Sequence, residues 1–176
     1  MTLDELIQSL PEYAKDLKLN YSSLIGQNTE LTPTQLWGSV VVSAMATRQP
    51  VLLRAVVAAA AEKTTAQLVD AAKTAGAIMG MNNVFYRFHH LTKNEKYSTM
   101  PARLRMNAIR THGADPVDFE LWCVAASAVN GCGKCVDAHE QVLRQKGISE
   151  ELILAAVRIA SVIHAVGTVL DAEAAA

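Results

Sequence analysis

Two cysteines separated by two residues, Cys132 and Cys135, are the residues of the chain best suited to chemistry. The Asn130-Gly131 dipeptide before them is a turn signal, so we expect a helix to begin around Cys132. Free backbone N–H groups and the helix dipole at such a start stabilise a thiolate, which is the reactive form of cysteine. The three-residue spacing also brings both sulfurs within reach of a disulfide. The pattern therefore indicates thiol redox chemistry.

Two further polar residues stand where they can move protons for this pair. His139 lies four residues after Cys135 and seven after Cys132, which places it on the cysteine face of the helix. An imidazole there can accept or return a thiol proton. Glu120 comes twelve residues before Cys132, among apolar neighbours on the preceding helix, and is a candidate general base or proton relay. Together these residues form the pattern E-x11-C-x2-C-x3-H.

Other interpretations of the same residues stay open from the sequence. Cys132, Cys135, His139 and a carboxylate could bind zinc, although the sequence shows no second ligand pair of the kind that structural zinc sites usually have. The two thiols could also be buried and inert. Glu120 could be a solvated charge on a helix surface.

Six other residues have simpler interpretations: one cysteine, one lysine and four histidines. Cys123 stands alone among apolar residues and is expected to pack in the core. Lys134, between the two motif cysteines, is expected to be a solvated charge that also favours a thiolate. No role is assigned to the other four histidines, which are His89, His90, His112 and His164.

Composition and periodicity predict an all-α protein around this site. The chain is rich in Ala and Leu, and no short stretch alternates apolar and polar side chains between turn residues. Signals for helix starts occur at Thr2, Thr32, Asp115 and Ser149, and at Ser98 to Pro101. The predicted helices cover residues 3–17, 33–47, 50–61, 65–80, 82–92, 101–110, 116–130, 132–146 and 149–171.

A weak internal repeat divides these helices into two similar sets. Leu36-Trp37 and Leu121-Trp122 each open an apolar helix that is followed by another helix, at an offset of 85 residues. We therefore predict an internal duplication of a helical unit over about residues 33–80 and 116–171. The first copy has residues 47–50 where the second has the cysteine motif, so it has no cysteine with which to do the same chemistry.

Length and charge restrict the class of protein further. The 176 residues, with a formal net charge of −1, predict a single domain spanning 1–176 that binds neither nucleic acid nor anionic membranes. The longest uncharged run, 31–47, is too short to span a bilayer. The first residues lack the basic and apolar parts of a signal peptide, so we expect a cytoplasmic protein whose thiols are normally kept reduced.

The E-x11-C-x2-C-x3-H pattern resembles that of the AhpD-like alkylhydroperoxidase family, in the carboxymuconolactone decarboxylase-like superfamily. The similarity extends beyond the motif to nearly the whole chain. The segments that resemble the family, in the same order, are 10–16, 35–38, 78–87, 104–107 and 119–122.

This resemblance implies an all-α AhpD-like fold, a homotrimer and thiol-dependent peroxidase activity. It implies that Cys135 is the attacking thiolate, which forms a sulfenic acid, and that Cys132 donates a proton and closes a Cys132–Cys135 disulfide. Glu120 and His139 match the proton-relay residues. The family has a histidine directly before the second cysteine, where this chain has Lys134. Because lysine does not shuttle protons near neutral pH as imidazole does, the relay is reduced to Glu120 and His139.

The helix-start argument and the resemblance differ on which sulfur attacks. The helix terminus favours Cys132 as the more acidic thiol, whereas the resemblance makes Cys135 the nucleophile. We follow the resemblance, since a relay through Glu120 and His139 can activate the deeper sulfur specifically.

The resemblance also implies the electron donors and partners. No bound cofactor is expected, and dihydrolipoyl groups such as dihydrolipoamide reduce the disulfide. The implied partners are an AhpC-type peroxiredoxin, the lipoylated acyltransferase of a dehydrogenase complex and, indirectly, dihydrolipoamide dehydrogenase. Three rival functions are a general disulfide-relay adaptor with little direct peroxidase activity, a decarboxylase, which would not need two cysteines, and a non-enzymatic zinc module.

Overall fold

The structure, a computed structural model, describes residues 1–175 and has eight α-helices and no strand in that range. The predicted all-α class is confirmed. The helices are α1 (Leu3–Gln8), α2 (Lys15–Tyr21), α3 (Pro33–Thr47), α4 (Pro50–Lys63), α5 (Ala66–Leu91), α6 (Pro116–Val129), α7 (Gly133–Gln145) and α8 (Glu150–Ala174). Short 3-10 turns cover Glu12–Ala14, Glu95–Thr99 and Asn107–Arg110, and a π-helical turn covers Ser22–Gly26.

Local side chains determine where four of these helices begin. Thr2 and Thr32 form capping boxes at the starts of α1 and α3, in which the hydroxyl accepts a hydrogen bond from a first-turn N–H. Asp115 caps α6 and Ser149 caps α8 in the same sense, each through a side-chain oxygen. These four predicted helix starts are confirmed. They could be predicted because a cap depends only on neighbouring residues.

Two predictions of helix bounds before residue 93 are wrong. The predicted helix 3–17 is broken around Pro11, which lacks an N–H group and disfavours the helical conformation of the residue before it. The predicted helices 65–80 and 82–92 are one continuous helix, α5. No proline or cap stands at Met81, so nothing ends the first helix there.

The predicted helix 101–110 is also wrong, and the signal at Ser98 to Pro101 starts no α-helix. Only Asn107–Arg110 forms a 3-10 turn. Before that turn, half-buried and exposed residues alternate, which is the period of extended chain and not of helix. Arg103 has a φ of 53°, in the left-handed region that breaks a helix. The half-buried residues of this stretch are Ala102, Leu104 and Met106.

The core forms around α3 and α6, which pack against each other. Val41 of α3 and Trp122 of α6 are fully buried, and Gly38 lies directly against the Trp122 indole, where a side chain would not fit. Helices α5 and α8 pack against both central helices, and α7 packs against α6 and α5. The packing therefore brings α5 against α6 and α7, the two helices that position the predicted site residues.

The six longest helices fall into two sets of three that begin within the ranges proposed for the repeat, although α5 and α8 extend beyond them to Leu91 and Ala174. We name α3–α4–α5 the first triplet and α6–α7–α8 the second triplet. Pro33 and Pro116, which begin the leading helix of each triplet, are 83 residues apart. The residues that begin the third helices, Ala66 and Glu150, are 84 apart. A duplication stays a prediction.

One helix in the described residues, α8, is long and apolar enough by length and composition to cross a membrane. Within its most apolar window, 56% is buried inside the protein. Core helices of soluble proteins pass the same test of length and composition.

Candidate active site

The two motif cysteines lie at the start of α7. Cys132 is the N-cap residue and Cys135 lies in the first turn, and they are 0% and 4% exposed. Their sulfurs are joined in a disulfide, with the Cα atoms 5.3 Å apart. Gly131 has a φ of 67°, which glycine adopts without steric cost, and it turns the chain from α6 into α7. The predicted helix start is confirmed, and the structure brings the two sulfurs together.

Glu120 and His139 are joined by a short hydrogen bond across two helices. The distance from His139 Nδ1 to the Glu120 carboxylate is 2.6 Å, and the side chains are 19% and 22% exposed respectively. Such a partly shielded pair holds the imidazole in one orientation. The structure therefore brings together the two residues predicted for proton transfer, on α6 and α7.

The link between this pair and the sulfurs is not a direct hydrogen bond in the disulfide form. Among residues 1–175, the polar neighbour of Cys135 Sγ is the main-chain carbonyl oxygen of Asn82, at 3.9 Å. This carbonyl belongs to α5, so the redox pair is enclosed by a third helix. Proton transfer between His139 and a thiol requires a bridging water or a movement on reduction.

A buried polar network, missed by the sequence analysis, holds the turn that precedes the motif. Asn83 Nδ2 donates to Ser127 Oγ, and Asn130 Nδ2 donates to Asn83 Oδ1, both at 2.9 Å. Arg87 Nη1 donates to the Asn130 carbonyl oxygen at 2.6 Å. The Cys132 N–H donates to the Ser127 carbonyl oxygen at 3.0 Å. The network therefore connects α5 to the N-cap of α7 and positions the first cysteine.

A sequence signal for this network exists in the Asn82-Asn83 dipeptide. Asparagine is a poor helix former, so two of them inside a long apolar helix indicate side chains used for contacts. Both side chains are buried in the structure. The Asn82 Oδ1 atom has no hydrogen-bond partner among the described residues. Asn82 thus presents its main chain to the disulfide, whereas Asn83 organises the turn.

The structure also defines the surroundings of Cys123, Lys134 and His112. Cys123 is buried, and burial raises the pKa of its thiol, so this cysteine stays protonated and unreactive. Lys134 is exposed, and its ammonium group lies 5.7 Å from the centre of the Tyr86 ring, in cation–π contact. The His112 ring stacks on Phe119, with the ring centres 3.9 Å apart. The expected core position of Cys123 agrees with its burial.

Within the part of the chain that the structure describes, no group of three or more His, Cys, Asp or Glu side chains could hold a metal ion. The zinc interpretation therefore finds no ligand set among these residues. Fold and site together define a helical protein with a dithiol–disulfide pair, placed at a helix start beside a Glu–His pair.

Comparisons with known proteins agree with this description. Residues 95–176 match the carboxymuconolactone decarboxylase family. A protein of Acidobacterium capsulatum named alkyl hydroperoxide reductase AhpD is 64% identical, over 98% of this chain and 94% of the relative. Proteins of the same name from Koribacter versatilis and Solibacter usitatus are 60% and 58% identical, over 98% and 99% of this chain and 89% and 98% of the relatives. The chain therefore belongs to the AhpD family, within the carboxymuconolactone decarboxylase family.

Proposed function

We propose that this protein is a thiol-dependent alkyl hydroperoxide reductase that works through the Cys132–Cys135 disulfide. The observation that carries the proposal is the buried cysteine pair at the start of α7, beside the joined Glu120 and His139 side chains. The name shared by the related proteins supports the reduction of peroxides.

The cycle begins with the reduced pair. The Cys135 thiolate attacks the terminal oxygen of the hydroperoxide, the O–O bond breaks, and the leaving alkoxide takes a proton from Cys132 to become an alcohol. Cys135 is then a sulfenic acid. The Cys132 sulfur attacks it, water leaves, and the Cys132–Cys135 disulfide forms. Two electrons pass from the two thiols to the peroxide, which yields one alcohol and one water.

Glu120 and His139 supply the proton transfers. His139 takes the Cys135 thiol proton through a bridging water or after a movement on reduction. The Glu120 carboxylate stabilises the imidazolium that forms, because its oxygen lies 2.6 Å from Nδ1. The same proton is returned when the sulfenic acid loses water. First-turn N–H groups of α7 also stabilise a thiolate, since no side chain caps this helix.

Dihydrolipoyl groups restore the dithiol by disulfide exchange, in two steps that oxidise the donor to a cyclic disulfide. We propose that the donor is a lipoylated acyltransferase of a dehydrogenase complex, recharged by dihydrolipoamide dehydrogenase. The protein then passes electrons to an AhpC-type peroxiredoxin as well as to peroxide. The family resemblance also supports a homotrimer and a cytoplasmic location, which sedimentation and cell fractionation test directly.

A coupled assay with dihydrolipoamide and an alkyl hydroperoxide tests this function, run with and without an AhpC-type peroxiredoxin. Cys135→Ser should lower peroxide turnover about a thousandfold or more, because the nucleophile is lost. Cys123→Ala is the matched control and should keep the wild-type rate. Wild-type turnover by Cys135→Ser would contradict the proposal. Turnover that requires the peroxiredoxin would instead favour a disulfide-relay adaptor.

A further inference from the structure

Positive charge is concentrated in one segment of this near-neutral chain. Residues 84–112, which we name the basic segment, contain six Lys and Arg residues and one acidic residue, Glu95, whereas the whole chain has 16 Lys and Arg and 17 Asp and Glu. None of the six takes part in an ion pair among residues 1–175. The six are Arg87, Lys93, Lys96, Arg103, Arg105 and Arg110.

The basic segment is exposed, and aromatic side chains accompany the cations. All of its Lys and Arg residues except the half-buried Arg87 are exposed. Phe88 and Tyr97 are 48% and 39% exposed, and their rings contact each other with centres 5.1 Å apart. This contact holds the turn that carries Lys96 beside the end of α5.

Two cations connect this segment to the redox pair. Lys134 stands between the two cysteines, and its ammonium group lies over the ring of Tyr86, in the basic segment. The next residue, Arg87, donates to the Asn130 carbonyl oxygen in the turn before the motif. Asp137, one turn further along α7, forms no ion pair with Lys134. The Lys134 ammonium group is therefore not held in an ion pair by a carboxylate among the described residues.

We propose that Lys134, Arg87 and the exposed cations of the basic segment form a docking surface for an acidic protein that carries the dithiol exchanging with Cys132–Cys135. This inference rests on the proposed redox cycle and identifies the chemistry of the partner. A thiolate of the partner attacks one sulfur of the pair, and its second thiol resolves the mixed disulfide. The partner becomes a disulfide, and the pair becomes two thiols. Complementary charge accelerates the encounter and fixes its orientation.

The first test measures the charge at the disulfide itself. The oxidised protein is reduced with 2-mercaptoethanesulfonate, 2-mercaptoethanol or cysteamine, which carry negative, zero and positive charge beside one thiol. Each rate is compared between variant and wild type, so that the intrinsic reactivity of the reagent cancels. Lys134→Met should slow the anionic thiol several-fold, leave the neutral one unchanged and accelerate the cationic one. Added salt should shrink these differences.

Lys146→Met is the matched control for this test, because Lys146 is exposed at the other end of the same helix. It should leave all three rates at their wild-type values. An equal change with all three thiols in Lys134→Met would overturn the proposal. These rates do not involve peroxide, so a protein without peroxidase activity can still pass this test.

The second test examines the wider surface with a defined probe. The probe is a Cys-x-x-Cys peptide rich in Asp and Glu, compared with a peptide in which Ser replaces the acidic residues. The double variant Lys93→Glu with Lys96→Glu should exchange several-fold more slowly with the acidic peptide and at an unchanged rate with the neutral one. Lys15→Glu with Lys146→Glu makes the same change in net charge at exposed sites outside the segment.

Equal rates of exchange with the acidic peptide in the two double variants would contradict the proposed docking surface. Sedimentation of both variants tests whether a second copy of the chain, and not an acidic partner, contacts the basic segment. If Lys93→Glu with Lys96→Glu changes the association state and leaves the exchange rates alone, the basic segment contacts a second copy of the chain, and the proposal fails.

Discussion

Helices α4 and α7 each follow a central helix after a short turn, and their N-termini are satisfied in different ways. In the first triplet, Gln49 is the N-cap of α4, and its side-chain oxygen accepts hydrogen bonds from the N–H groups of Val51 and Leu52 at 2.6 and 3.0 Å. In the second triplet, Cys132 stands at the same position, and no side chain caps α7. The amide of Gln49 stabilises a helix, whereas the uncapped start leaves N–H groups for a thiolate.

The two helices also differ in what they bury. Helix α4 buries an apolar face that includes Leu52 and Val56, whereas the buried residues of α7 are Cys135 and Leu143. Gly133 and Lys134, between the two buried cysteines, are exposed, so the start of α7 borders the protein surface directly beside the sulfurs. Similar backbone positions therefore serve stability in the first triplet and chemistry in the second. The residue at the N-cap and the apolar face that the helix buries decide which.

Among the changes that test the comparison of the two triplets, the largest effect is expected from giving the second triplet a residue of the first. In the register that pairs Leu36-Trp37 with Leu121-Trp122, Gln35 stands where α6 has Glu120. Glu120→Gln keeps a hydrogen bond to His139 but cannot stabilise an imidazolium by charge. Peroxide turnover should fall about a hundred- to a thousandfold, which lies within the range that general acid–base catalysis contributes. The coupled assay with dihydrolipoamide measures it.

Glu140→Gln is the control for this prediction, because Glu140 is the next residue after His139 and interacts with Arg144 at 4.0 Å. It removes one carboxylate from α7 and should leave turnover near the wild-type value. If Glu120 and His139 act as one relay, the double variant Glu120→Gln with His139→Asn should be no slower than the slower single variant. Turnover within twofold of wild type in Glu120→Gln would exclude the relay.

The next effect concerns the contact between the two triplets. Gly38→Ala places a methyl group into the Trp122 indole, which is fully buried and has no space to move. Overpacking of this kind should lower the free energy of unfolding by about 1–3 kcal/mol. Gly80→Ala is the control, because nothing lies within 4 Å of its added methyl group, and helix propensity predicts a gain of up to about 1 kcal/mol. Urea unfolding compares them, and equal stability of the two variants would refute the close contact.

The sequence was sufficient for those features that depend on neighbouring residues. The caps at Thr32 and Asp115, and the start of α7 at the motif, follow from local chemistry and agree with the structure. The predicted helix 101–110 is wrong because Ala102, Leu104 and Met106 are half-buried at a period of two, which is typical of extended chain. The Asn83–Ser127 hydrogen bond joins residues 44 apart, and a local pattern cannot specify such a partner.

A smaller effect is expected when the N-cap of α4 in the first triplet is removed. Gln49→Ala leaves two first-turn N–H groups of α4 without their acceptor and should lower the free energy of unfolding by about 1 kcal/mol. Peroxide turnover should not change, because Gln49 belongs to the triplet without cysteines. Gln141→Ala, at an exposed position of α7, should change stability by less than about 0.5 kcal/mol. Loss of turnover in Gln49→Ala at unchanged stability would contradict the division of roles between α4 and α7.

The smallest effect concerns a hydrogen bond that joins the two leading helices. Gln35 and Asp118 are each the third residue of their helix, and Gln35 Nε2 donates to Asp118 Oδ1 at 3.0 Å. Burial raises the pKa of Asp118 and outweighs the opposing effect of the Gln35 hydrogen bond. Because the folded carboxyl binds its proton more tightly than the unfolded one, its contribution to stability is lost as pH rises through the folded-state pKa.

Asp118→Asn keeps an acceptor for Gln35 and carries no charge, so it should remove this loss and stabilise the protein at pH 7 by less than about 1 kcal/mol. Urea unfolding from acid to neutral pH measures both slopes, with the exposed Asp16→Asn as the control that keeps the wild-type slope. A wild-type slope of the opposite sign that Asp118→Asn abolishes would mean that the Gln35 hydrogen bond outweighs burial. Ionisation of Asp118 would then stabilise the contact between the triplets, whereas the burial argument predicts that ionisation destabilises it.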